Sequence, residues 1–168
     1  NAYHEELGKL TRTLAVTEAS QRRLFFEKQL LQARDELASA EFNLQKTQEK
    51  TGLIQLEGQA RAIIESVAQL RAQIAAKEVQ LGAMRTFAAA QNPDLMRAQE
   101  ELAGLRAQLK KREQESSSKD STLISAGKVP ELGLEYLRKL REVKYHEAIM
   151  EIMARQFELA KVDEAKES

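Results

Sequence analysis

The sequence predicts an all-α fold: an elongated antiparallel coiled-coil helical bundle of about four helices running up-down-up-down. Three observations predict it. Leu, Ala, Glu, Gln, Lys and Arg, the strong helix formers, dominate the chain, while aromatics are 5% and charged residues 31% of its 168 residues. Apolar residues recur by threes and fours over long stretches. Only 7 Gly and 2 Pro interrupt the pattern, and Gly52, Gly58, Pro93 and Pro130 among them fall where reversals or restarts are expected. Such a sequence buries narrow seams between helices, so one coiled-coil domain over residues 1–168 is expected.

The first helix is expected over residues 3–50. Leu7, Leu10, Leu14 and Thr17, then Phe26, Leu30, Ala33, Leu37, Ala40 and Leu44, read as one inward stripe with a register slip near Arg22–Phe26, as at a stutter. At 1.5 Å per residue it is roughly 70 Å long, too long for a 19 kDa globule. Thr51-Gly52 marks its stop, since Gly suits the position after a helix. Leu53, Ile54 and Leu56 then sit in a predicted hairpin tip, where they either cap the bundle end or offer a docking surface.

The second helix is expected over residues 59–89, with Ile63, Val67, Leu70, Ile74, Lys77, Leu81, Met84 and Ala88 alternating four and three. Lys77 is the polar member, its stem along the seam and its ammonium in solvent. Asn92-Pro93-Asp94 is the sharpest boundary: Asn suits the N-cap, Pro the first helical position and Asp the positive helix end. The third helix is expected over residues 93–115, with Leu95, Leu102, Leu105 and Leu109 inward and Lys110-Lys111-Arg112 in its last turns. Ser116-Ser117-Ser118-Lys119-Asp120 predicts a loop over residues 116–129, because Ser and Asp compete with helical hydrogen bonding. Pro130 starts a fourth helix over residues 130–164. Its wide apolar face (Leu134, Leu137, Leu140, Val143, Ile149, Met153) predicts contact with two neighbouring helices or with another subunit. This path puts both chain ends at one pole and the Thr51–Gly58 tip at the other.

Balanced charge, 26 basic against 26 acidic residues, argues against a nucleic-acid surface. No Cys is present, which removes disulfides, thiolate catalysis and the usual zinc sites. No apolar run approaches the ~20 residues of a membrane span. His4 and His146 lack a second ligand at helical spacing and read as histidines on solvated helix. The shared pole leaves them free to approach. No nucleophile, P-loop or dinucleotide turn is set up, so no catalytic residue, metal or cofactor is expected and the chain reads as a non-enzyme. Asn1-Ala2-Tyr3 already reads as helix, which suggests a portion of a longer protein.

One stretch carries a family resemblance. Val129-Pro130-Glu131-Leu132, Glu135-Tyr136-Leu137-Arg138, Leu140 to Tyr145 and Ala160 to Glu167 resemble the segment preceding the second transmembrane helix of the polysaccharide co-polymerase (Wzz-type) family. Gln91 to Leu95 with Ala98 to Leu109 is similar to their coiled-coil region. Pro130, Tyr136, Arg138, Arg141, Glu142 and Tyr145 match the motif. From the residues alone, Pro130 starts a helix, Tyr136 is a seam position, and Arg138, Arg141 and Glu142 either form exposed ion pairs or bridge subunits. The resemblance implies the periplasmic protrusion of a bacterial inner-membrane protein, membrane-anchored at full length. Such proteins oligomerise and modulate the chain length or export of O-antigen, capsule or exopolysaccharide. Its partners would be further copies, a polysaccharide polymerase or outer-membrane export protein, and a weakly held glycan. Some members carry a cytoplasmic tyrosine kinase, no part of which is present here. A periplasmic adaptor hairpin of a secretion or efflux system, and a cytoplasmic coiled-coil spacer, fit the same rod.

Overall fold

The computed structural model describes residues 1–52, 56, 58–87, 92–125 and 131–167, and the side chains within them except those of residues 87, 119–125, 131 and 132. The described residues form four helices: α1 (Ala2–Thr51), α2 (Gly58–Phe87), α3 (Pro93–Ser125) and α4 (Glu131–Glu167). The all-α bundle is as the sequence predicts. α1 is a single helix about 75 Å long. It begins at an Asn1 side chain accepting from the Tyr3 N–H. It ends where Gly52 turns to φ 73°, its N–H donating to the Gln48 carbonyl at 2.8 Å. That backbone strains any residue with a Cβ, so the Gly is required.

The bundle is layered in the order α1, α4, α2, α3. α4 packs between α1 and α2; α2 also carries α3; α1 and α2 barely meet. Specific pairs fix the directions. Arg23 meets Glu164 and Glu36 meets His146, so α1 and α4 run antiparallel. Lys77 meets Glu101, and Arg112 meets Ser66, so α2 and α3 run antiparallel. Ile64 shares a cluster with Tyr136 and Ala83 shares one with Ala160, so α2 runs parallel to α4. The path is up-down-up-down.

The core is a chain of small clusters strung along α4. Met153, 2% exposed, sits where Leu30 and Ala33 of α1 meet Ala72 of α2. Of the two readings of the wide α4 face, two neighbouring helices and another subunit, the first is the one seen within the chain. α2 is buried on two sides. Ile74 and Leu81 face Leu95, Ala98 and Leu102 of α3, while Ile64, Ala72 and Ala83 face α4. Alanines let α2 and α4 approach closely.

The structure departs from expectation in three places. α3 continues through Ser125, so Ser116 to Asp120 are helical, and Lys110-Lys111-Arg112 lies mid-helix. The Ser118 hydroxyl donates to the Gln114 carbonyl at 3.0 Å; the competing hydrogen bond is made within the helix. Leu7, Leu10 and Leu14 are 50 to 65% exposed. The buried α1 residues are Ala19, Phe26, Leu30, Ala33, Ala40 and Thr47. Sixteen residues separate Leu14 from Leu30, a turn of about 160° at 3.6 residues per turn. The predicted register slip is therefore a change of face. With Arg23 against Glu164, residues before about Ser20 project beyond α4. His4 consequently lies roughly 48 Å along α1 from the level of His146, so the two histidines do not approach.

Candidate functional site

The motif segment of α4 is the candidate site, and its Tyr136 and Leu137 face neighbouring helices. Tyr136 is buried with Leu137 against Ile64, and Leu56 packs on the same cluster. Leu56 thus closes the end of the bundle. Leu53, Ile54 and Pro130 lie outside the described residues. Arg138 is exposed. Arg141 is half-buried beside a small cavity of about 160 Å³ that Arg71, Glu113, Ser116 and Ser117 also line.

A polar knot holds the middle of the segment. Arg71 of α2 donates to Glu142 at 3.0 Å, and its guanidinium lies 4.2 Å from the centre of the Tyr145 ring. His146 is not on a solvated face as expected: its side chain is 17% exposed. Its Nδ1 is 3.7 Å from Glu36 on α1 and its Nε2 3.8 Å from Glu142. The Nδ1 is buried with no hydrogen-bond partner. Burial pushes the Tyr145 hydroxyl above the usual phenol range; nearby Arg71 opposes this, and Glu36, Glu142 and Glu78 reinforce it. The partly exposed Arg71–Glu142 ion pair, worth up to about 1 kcal/mol, ties α2 to α4, and His146 brings Glu36 of α1 to the same level. Glu142 is therefore paired within the chain, one of the two roles the sequence left open for it, and Tyr145 carries the Arg71 guanidinium on its ring.

A second feature has no counterpart in the sequence reading. α3 and α4 flank α2 and leave a groove of about 620 Å³. Gln69, Gln73, Gln80, Gln108 and Gln156 supply amides, Leu105 and Ile152 supply apolar surface, and Lys77, Glu101 and Arg155 supply charge. Lys77 bonds Glu101, as its expected snorkelling position allows, and this hydrogen bond and charge hold the Glu101 carboxyl below the usual range. No spacing in sequence announces the groove, because its walls come from three separate helices.

Among the described residues, no group of three or more His, Cys, Asp or Glu side chains is arranged to hold a metal ion. Among them too, no helix is long and apolar enough to cross a membrane. No protein family, curated protein or solved structure matches the chain.

Proposed function

We propose that this chain is the helical protrusion of a Wzz-type polysaccharide co-polymerase, a periplasmic scaffold without chemistry of its own. In this reading it oligomerises and modulates the chain length or export of a bacterial surface polysaccharide. The observation that carries the reading is the hairpin-like path of the rod: α4 runs back along α1, antiparallel along Arg23–Glu164 and Glu36–His146, toward the end where α1 begins. A segment of this form can rise from a membrane and return to it. The motif residues support the reading as structural staples: Tyr136, Glu142 and Tyr145 fasten α4 to α2, while Arg138 remains outward for a partner. The mechanism would be geometric, with rods presenting a surface to the glycan, the polymerase or an export channel.

The test is deletion of residues 1–168 from the protein as its host makes it. The size distribution of the surface polysaccharide is then read on a gel. The reading expects the distribution to change or the polymer to be lost; an unaltered distribution with the remainder of the protein stably present contradicts it.

A further inference from the structure

Five side-chain amides converge on the groove beside α2. Gln69, Gln73 and Gln80 stand along α2, Gln108 on α3 and Gln156 on α4. None of the five has a hydrogen-bond partner among the described residues, whereas Gln32 on α1 donates to Glu36. The helix registers order them. Lys77 against Glu101 and Ser66 against Arg112 set Gln108 level with Gln69, and Leu105 level with Gln73. The cluster shared by Ala83 and Ala160 sets Gln156 level with Gln80. Amides therefore stand at both ends of a floor about 16 Å long and at one point between them. Leu105 and Ile152 supply apolar wall between the two ends.

This lining is mostly uncharged. Lys77 meets Glu101, so the two charges facing each other across the groove neutralise one another. Arg155 stands at the rim without an ion-pair partner among the described residues. Each amide offers two N–H donors and a carbonyl acceptor on one flat group. Neighbouring hydroxyls on a sugar ring answer that pattern, and the C–H face of the ring answers Leu105 and Ile152. An amphipathic partner helix would need an apolar floor, and α2 presents Gln69, Gln73, Lys77 and Gln80 instead. The volume of about 620 Å³ falls within the about 300–1,000 Å³ of ligand sites, and the length suits a run of sugar rings rather than one.

We propose that this groove binds a stretch of uncharged, hydroxyl-rich polymer, a segment of polysaccharide laid along α2. This gives the glycan of the scaffold reading a site, and it rests on that reading for the polymer's source. The groove is open along its side, so a long chain enters and leaves sideways without threading.

The full 168-residue chain, isotope-labelled at glutamine, tests this by titration with oligosaccharides cut from the surface polysaccharide of its host. The side-chain amide signals of Gln69, Gln73, Gln80, Gln108 and Gln156 should move together, while that of Gln32 stays. The double variant Gln73→Ala/Gln156→Ala should weaken binding about tenfold. Gln99→Ala, exposed on α3 and outside the groove, should leave it unchanged. Gly104→Leu fills a wall where an added Cβ meets nothing within 4 Å. It should block binding while the helices melt no earlier than before, because Gly is the weaker helix former. Raising the salt should not weaken binding, since salt screens charges and not amide contacts. No shift at the groove amides, shifts centred on other glutamines, full binding by the double variant or by Gly104→Leu, or loss of binding in high salt would each overturn the proposal. The polysaccharide gel judges the underlying reading separately, since deletion of the rod reports on the polymer whichever face holds it.

Discussion

Met153 offers the most direct test of the packing. Its side chain is 2% exposed and closes the junction where α1, α4 and α2 meet, against Leu30, Ala33, Ala72 and Ile149. Met153→Ala removes this filling and leaves a cavity between helices that cannot collapse independently, because α4 is held on both sides. Large-to-small changes at such sites cost about 2–5 kcal/mol. At roughly 2–4 °C per kcal/mol for a chain of this size, a central value near 3 kcal/mol lowers Tm by about 6–12 °C. Leu14→Ala is the matched control: Leu14 is 65% exposed, and its loss should stay within about 0.5 kcal/mol. Helix ellipticity at 222 nm, followed through heat and urea unfolding, reads both. Equal shifts for the two variants would refute the assignment of faces on α1 and α4.

Other perturbations address single contacts. Leu102→Asp puts a charge into the cluster that attaches α3 to α2. Because α3 leans on α2 alone for most of its contact, limited proteolysis should cut α3 first, whereas cleavage spread evenly over the four helices would contradict this. Arg71→Ala removes the Glu142 ion pair and the Tyr145 ring contact and should cost about 1–2 kcal/mol in urea unfolding; no change would mean the knot contributes nothing. Tyr145 has a raised folded-state pKa, so its contribution is present below the ordinary phenol value of 10.0 and is lost as pH rises past it. Tyr145→Phe should therefore flatten the fall in Tm above about pH 10. Glu101 has a lowered pKa, so its contribution is present above 4.5 and lost as pH falls. Glu101→Gln should flatten the acid side of the stability profile.

The helices were legible in the sequence because their boundaries are chemical. Gly52 and Asn92-Pro93 act locally, and the structure uses them as read. Lys77 was legible for the same reason: a lysine on an apolar stripe must place its head somewhere polar, and Glu101 takes it. The faces were less legible. The α4-facing side of α2 is built largely from alanines such as Ala68, Ala72 and Ala83, which look like helix formers rather than core. On α1, apolar spacing cannot say which of two seams a neighbour covers, so Leu7, Leu10 and Leu14 read as buried. The serine tract misled because serine's preference for turns yields to a carbonyl four residues back. Of the candidate site, Tyr136 was legible as a seam residue, but the Arg71–Glu142–His146–Glu36 knot joins three helices, and only its Glu142–His146 spacing of four is local.

The central claim is the antiparallel path that carries α4 back along α1 toward the end where α1 begins. Paired spin labels in the Cys-free chain measure it directly, at Thr17 with Lys166 and at Glu49 with Lys166. Adjacent helix axes are about 8–10 Å apart, so the first pair should give a distance near 20 Å once the labels are included. The second should lie near 45–50 Å, the rise of α1 between those levels. A long first distance with a short second one would mean that α4 runs the other way along α1, and the account would fail.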